Sequence, residues 1–133
     1  MNNPIYHRRN LPHIHAPLAA YFITFRLHGS IPVSQLKELH EKHQNKSDAG
    51  SRIFLKYDTI LDRAIYGPRY LSTNSIAQLT KDALHHYDGR DYNLLSYCIM
   101  SNHVHVAWSL LEGSRDVSEI LHSIKRFTAR KAN

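Results

Sequence analysis

The alternation of apolar and polar residues along the chain predicts three strands and three helices. Strands are indicated by β-branched and aromatic residues that end at turn residues, and helices by apolar residues three and four apart. The predicted elements are, in chain order, a strand in AAYFITFRLHG (19–29), a helix in VSQLKELHEKHQ (33–44), a helix in SIAQLTKDALHHYDG (75–89), strands at about 93–100 and 103–110, and a helix in DVSEILHSIKRFTARK (116–131). Residues 45–72 show no clear period, and we expect loops, a turn at Gly67-Pro68 and a short helix there.

This order of elements predicts an α+β fold. We expect a ferredoxin-like antiparallel sheet with helices on one face, which leaves the other face of the sheet open. A chain of 133 residues is large enough to bury one core, so residues 1–133 are expected to form a single domain.

Two histidines, His103 and His105, lie on one face of the last predicted strand. The opposite face of that strand is wholly apolar and is therefore expected to face the core: Val104, Val106, Trp108 and Leu110. Residues two apart on a strand are about 6.5–7 Å apart at Cα, so both imidazoles can reach one divalent ion. Histidine makes up 11 of the 133 residues, so a chance pair with a structural role stays open.

Positive charge is concentrated towards both ends of the chain. The formal net charge is +6 and the pI about 9.6. Residues 1–37 contain no acidic residue but include Arg8, Arg9 and Arg26, and Arg26 is expected on the histidine face if its strand joins the sheet. The last predicted helix carries a basic stripe opposite its apolar face: His122, Lys125, Arg126 and Arg130. Such surfaces suit a polyanion such as nucleic acid, although a simple role in solubility stays open.

The chain has no feature of a membrane or secreted protein. No apolar run approaches the roughly 18 residues that span a bilayer. The only cysteine, Cys98, cannot form an intramolecular disulfide and fits a reducing compartment. We therefore expect a cytoplasmic protein without a membrane partner.

Four segments resemble one family. MSNHVHV resembles the histidine–hydrophobic–histidine motif of the HUH single-strand DNA endonucleases, and more narrowly that of single-tyrosine transposases of the IS-two-hundred type and their REP-associated relatives. The segment Met100-Ser101-Asn102 stands where that family has a Met-Pro-(Asn/Asp) turn. The RR–LPH segment, the YFITFRL strand and ILHSIKRFTARK are also similar, in the same order from about Tyr6 to the end of the chain.

The resemblance implies a fold, a cofactor and a reaction. It implies a ferredoxin-like domain that binds Mg²⁺ or Mn²⁺ through His103 and His105 and cleaves single-stranded or hairpin DNA. A tyrosine of the enzyme attacks the phosphate and becomes linked to the 5′ end. Arg8 and Arg9 resemble the family's N-terminal basic element. Family members include monomers and dimers, so a homodimer stays open.

The chain departs from the family pattern at two places. Ser101 replaces the usual proline, a small change for a turn. The family's nucleophilic tyrosine lies on a later helix, after a further strand, and no tyrosine of this chain matches it. We therefore expect the domain to be C-terminally incomplete relative to the family, with the nucleophile beyond Asn133, and the 133 residues alone to form no covalent link.

Two other functions remain open from the sequence. One is a non-catalytic DNA-binding module derived from a truncated transposase, which keeps the fold and lacks the nucleophile. The other is an RNA binder of the RRM type, which shares the layout of sheet and helices. The RNA-binding alternative is disfavoured because the predicted strands lack exposed aromatic residues on neighbouring strands.

Overall fold

A computed structural model of the protein describes residues 5–8, 12–15, 19–43 and 49–132. The elements in these residues are β1 (Ile5–Arg8), β2 (Pro12–His15), β3 (Ala20–Arg26), α1 (Val33–His43), α2 (Ala49–Arg63), a 3₁₀ helix (Tyr70–Ser72), α3 (Asn74–His86), β4 (Tyr92–Ile99), β5 (His103–Leu110) and α4 (Val117–Ala132). None of the helices in this part of the chain is long and apolar enough to cross a membrane.

The strands form two antiparallel sheets. Strands β1 and β2 pair with each other, with Ile5 opposite His15. The central sheet has the order β3-β5-β4. The α+β class predicted from the sequence is therefore confirmed, but the described central sheet has three strands, whereas a ferredoxin-like sheet has four.

The core lies between the apolar face of β5 and helices α3 and α4. That face is almost completely buried, as predicted: Val104, Val106, Trp108 and Leu110. Helix α3 contributes Ala83 and Leu84, and helix α4 contributes Val117, Ile120 and Ile124. Helix α4 begins where its sequence predicts, because the carboxylate of Asp116 accepts a hydrogen bond from the amide of Glu119 at 2.9 Å.

The prediction that helices cover only one face of the sheet is wrong. Helix α2 lies over the histidine face, where the Phe54 ring makes an edge contact with the Phe22 ring of β3. Instead of a short helix, α2 has 15 residues. Phe54, Asp58 and Asp62, at i, i+4 and i+8, lie towards the histidine face of the sheet. The helical period of this segment is present beside them in Ile53, Tyr57 and Leu61, of which Ile53 and Leu61 are buried.

The turn between β4 and β5 is held by backbone hydrogen bonds from two other segments. The amide of Leu27, just after β3, donates to the carbonyl of Asn102 at 2.9 Å. The amide of Leu71 donates to the carbonyl of Ser101 at 3.1 Å. These bonds fix the residues that immediately precede His103.

A close approach of two glycines fixes the end of α2 next to the end of β3. Gly67 has a φ of +71°, and a Cβ at this position would lie 2.4 Å from the carbonyl oxygen of Gly29. Only glycine satisfies both conditions without strain. The loop after α2 is therefore held against the loop after β3, which places α2 over the histidine face.

Candidate metal centre

The two histidines of β5 are oriented by hydrogen bonds to their Nδ1 atoms. His103 Nδ1 lies 2.7 Å from the side-chain oxygen of Asn102. With the amide oxygen of Asn102 as the acceptor, a neutral His103 carries its proton on Nδ1 and a lone pair on Nε2. His105 Nδ1 lies 2.8 Å from the hydroxyl of Thr24, which stands opposite His105 on β3. Partners of this kind, oxygen atoms on the second ring nitrogen, orient histidines that bind metals.

Helix α2 brings two carboxylates close to the Nε2 atoms of the histidines. Asp58 Oδ1 lies 3.1 Å from His105 Nε2, and Asp62 Oδ1 lies 3.5 Å from His103 Nε2. Since Asp58 and Asp62 are four residues apart on a helix, their side chains project from the same face. The sheet therefore contributes two nitrogen ligands and the helix two oxygen ligands to one cluster.

Two buried atoms of this cluster lack a hydrogen-bond partner among the described residues: His103 Nε2, and Asp58 Oδ1, whose 3.1 Å approach to His105 Nε2 does not form a hydrogen bond. His103 is only 1% exposed, so it gains little solvation from water. A buried polar atom without a partner costs about 1–3 kcal/mol. A lone pair on Nε2 and a carboxylate oxygen repel each other unless a cation lies between them.

The pKa of His103 lies below the usual value for histidine. Burial is the larger cause, and the neighbouring imidazole of His105 adds to it, while Asp62 and Asp58 act in the opposite direction. His103 is therefore neutral at neutral pH, which is the form that offers a lone pair to a metal.

The residues fit a divalent cation. Asp58, Asp62, His103 and His105 each offer one ligand atom, and these atoms lie within 4.8 Å of one another. Ligand atoms on opposite sides of one ion are about 4 Å apart, so a small contraction brings all four into contact with it. The cluster could hold a metal ion.

The predicted DNA-binding arginines of the N-terminal part have different positions. Arg26 on β3 stands opposite His103 in the strand pairing, so it lies on the histidine face as expected. The charge of Arg26 acts on one side chain of α2 and one of α4. Burial raises the pKa of Tyr57 on α2, and Arg26 opposes this change. Burial lowers the pKa of Lys125 on α4, and Arg26 lowers it further.

The other two predicted arginines are at the N-terminal end of the chain. Arg8 is the last residue of β1, and Arg9 lies outside the described residues.

The basic stripe of α4 lies on the opposite side of the sheet from the metal cluster. His122 and Arg126 form a hydrogen bond with each other at 2.7 Å, and Arg130 lines a cleft with Tyr87 and Phe127. Lys125 is exposed overall, but its ammonium group lies 6.0 Å from the centre of the Phe25 ring. The four residues are therefore not brought to the metal cluster, and only Lys125 turns towards Arg26.

Tyr92 and Tyr97, the tyrosines of β4, both lie on the core side of the sheet. Tyr92 is fully buried and stacked on Trp108, and its hydroxyl donates to the carbonyl of Leu84. Burial, with smaller contributions from neighbouring acids, raises the pKa of Tyr92. Tyr97 pairs with Val106 in the sheet and contacts His85 on α3. Neither tyrosine faces the metal cluster.

Comparison with known proteins gives no match to a family model, to a curated protein or to a solved structure.

Sequence reasoning found the two histidines but missed the two aspartates. The segment YDTILD places two acids four residues apart, which is a signal for one helix face. It says nothing about which surface that face contacts. Thr24 contacts His105 because β3 pairs with β5, and Asn102 contacts His103 because of the turn before β5. Both contacts are seen only in the structure.

Proposed function

We propose that this protein is a transposase-type, metal-dependent endonuclease and strand transferase for single-stranded or hairpin DNA. The proposed cofactor is Mg²⁺ or Mn²⁺, held by His103 and His105 together with Asp58 and Asp62. One observation carries the proposal: the four ligand atoms converge, while two of them are buried and unpartnered. Imidazole and carboxylate together make Mn²⁺ the better fit of the two ions.

The order of the elements supports the proposal. From β3 onwards the described elements follow the order strand, three α-helices, two strands, helix, with a 3₁₀ helix between the second and third α-helices. A ferredoxin-like fold has the order β-α-β-β-α-β, so β3, α3, β4, β5 and α4 correspond to its first five elements, with α1 and α2 inserted after β3. The proposed complete domain adds a fourth strand and a helix bearing the nucleophilic tyrosine after α4.

Each residue of the centre has a role in the proposed reaction. When bound, the cation polarises the phosphate that is cleaved and offsets the charge of the transition state. Thr24 and Asn102 fix the ring orientation of the histidines, and Arg26 neutralises a neighbouring phosphate. The tyrosine oxygen forms a bond to phosphorus, the bond from phosphorus to the 3′ oxygen breaks, and the 3′-OH leaves with a proton.

A second candidate is a non-catalytic DNA-binding module. It is favoured by one observation, that Tyr92 and Tyr97 both lie on the core side of the sheet. A domain of this kind keeps the metal cluster as a structural clamp between α2 and the sheet, and binds DNA without cutting it.

The metal centre is tested by calorimetric titration of Mn²⁺. The comparison uses the wild type, the His103→Ala/His105→Ala variant and the Asp58→Asn/Asp62→Asn variant. We expect one bound ion per wild-type chain and loss of measurable binding in the histidine variant. The asparagine variant is expected to bind at least 10-fold more weakly, because two anionic ligands become neutral. His85→Ala/His86→Ala is a matched control, as it removes two histidines outside the cluster. Equal Mn²⁺ binding in all four proteins would reject the metal centre.

The reaction is tested with labelled single-stranded DNA and Mn²⁺, followed by denaturing electrophoresis. The 133-residue chain is expected to bind the DNA and to form no covalent adduct. A longer chain carrying the expected tyrosine-bearing helix should gain the adduct. If the longer chain also forms none, the non-catalytic candidate is correct.

A further inference from the structure

Phe22 on β3 is an exposed aromatic residue next to the metal centre. Its side chain is 62% exposed, although it belongs to the central sheet. Burial of a phenylalanine side chain stabilises a protein by about 1.5–3 kcal/mol. This position forgoes a large part of that stabilisation.

The Phe22 ring is held in place by two other rings. It stacks on the His105 ring at 5.5 Å between centres and 22° between planes. Its contact with Phe54 of α2 is edge-on, at 6.2 Å and 70°. Phe22 is therefore an ordered apolar surface that is still accessible to solvent.

The charges along the same strand suit a nucleic acid. Phe22, Thr24 and Arg26 share one face of β3, so Arg26 lies about 13 Å from Phe22 along the strand. Thr24, between them, contacts the metal-ligand candidate His105. The strand thus presents an aromatic ring at one end, the metal centre in the middle and a cation at the other end. A single strand of nucleic acid can follow this order, with a base on the aromatic ring, one phosphate at the metal centre and a further phosphate at the cation.

We propose that Phe22 is a stacking platform for one nucleobase of single-stranded DNA, adjacent to the phosphate at the metal centre. This inference rests on the proposed function and deepens it by placing one base. Every base has an aromatic face, so stacking at Phe22 tolerates different bases. The base must be unpaired, because a base in a duplex already stacks on its neighbours. The platform therefore discriminates against duplex DNA.

The test is DNA binding by Phe22→Ala, Phe22→Trp and the wild type. Leu55→Ala is the matched control, because Leu55 on α2 is equally apolar and 64% exposed. We expect Phe22→Ala to weaken binding of a single-stranded oligonucleotide by about 5- to 150-fold. Phe22→Trp should retain binding, and Leu55→Ala should bind as the wild type does. Mn²⁺ titration of each variant checks that the metal centre is intact.

A scan of abasic sites along the oligonucleotide identifies the stacked base. At one position, removal of the base should weaken binding to the wild type and have no further effect on Phe22→Ala. A fluorescent 2-aminopurine at that position should be quenched by the wild type only.

The outcomes separate the stacking platform from the proposed function. Wild-type binding of single-stranded DNA with no loss in Phe22→Ala overturns the platform and leaves the proposed function standing. Failure of the wild type to bind single-stranded DNA overturns both. If Phe22→Ala only converts a dimer to a monomer, Phe22 belongs to an interface between two copies of the chain, and the platform is overturned.

Discussion

The two faces of the central sheet differ in how their buried groups are satisfied. On the Val–Trp face, Val104, Val106 and Trp108 are fully buried against α3 and α4. On the histidine face, α2 also covers the sheet, and two histidine nitrogens lie 3.5 and 3.1 Å from carboxylate oxygens of Asp62 and Asp58. Apolar packing dominates the first face, where Trp108 Nε1 is a buried polar atom without a hydrogen-bond partner among the described residues. A bound cation would account for the convergence of histidines and carboxylates on the second face.

This difference separates stability from function within one sheet. Side chains of the Val–Trp face should determine the free energy of unfolding and have no specific effect on ligands. Side chains of the histidine face should determine metal and DNA binding at a smaller cost in stability, because His103 Nε2 and Asp58 Oδ1 have no hydrogen-bond partner to lose among the described residues. Variants on each face test this separation.

The largest expected effect is on the Val–Trp face. Trp108→Ala should lower the free energy of unfolding by about 3–5 kcal/mol, because it leaves a large cavity beside Tyr92. Urea denaturation measures this loss. His103→Ala/His105→Ala is the comparison, and a loss of stability as large as that of Trp108→Ala would contradict the separation of the two faces.

The next effect concerns the position of α2. Gly67→Ala should destabilise the fold by about 1–3 kcal/mol and weaken Mn²⁺ binding, since the loop after α2 must move away from Gly29. Thermal denaturation and Mn²⁺ titration measure both. Gly89→Ala is the control: Gly89 also has a positive φ of +81°, but open space surrounds it. If both variants lose the same Mn²⁺ affinity, the contact with Gly29 does not position α2.

A third prediction concerns the basic stripe of α4. Replacement of Lys125, Arg126 and Arg130 with alanine should reduce the salt dependence of single-stranded DNA binding by about 2 units of slope, because three phosphate contacts are lost. A triple variant of Lys37, Lys42 and Lys81 removes the same charge from α1 and α3 and serves as the control. Equal slopes in the two triple variants would assign the stripe of α4 to solvent.

The smallest expected effect is at Tyr92. Tyr92→Phe removes the hydrogen bond from its hydroxyl to the carbonyl of Leu84 and should lower the free energy of unfolding by about 1 kcal/mol. Binding of Mn²⁺ and DNA should not change, because Tyr92 faces the core. A covalent DNA adduct that forms in the wild type and disappears in Tyr92→Phe would show that this assignment is wrong.

The sequence predicted the Val–Trp face well and the histidine face only in part. The residues of β5 alternate strictly, so the core side and the histidine side of that strand could be read directly. Helix α2 carries an apolar period at Ile53, Tyr57 and Leu61 that predicts a helix. The approach of Asp58 and Asp62 to the histidines could not be predicted from it. The burial of His103 and the role of the two aspartates depend on contacts between α2 and β5, which are 40 or more residues apart in the chain. Local periodicity carries no information about such contacts.

The most direct test of the metal centre is pulsed electron paramagnetic resonance of Mn²⁺ bound to the wild type and to single variants. Electron spin echo modulation detects nitrogen nuclei of imidazoles that coordinate the ion. We predict coupling of Mn²⁺ to two imidazole nitrogens in the wild type and to one in His105→Ala. In Asp58→Asn, Mn²⁺ should bind more weakly but still couple to two imidazole nitrogens. Bound Mn²⁺ that shows no nitrogen coupling in the wild type would contradict a centre built from His103 and His105.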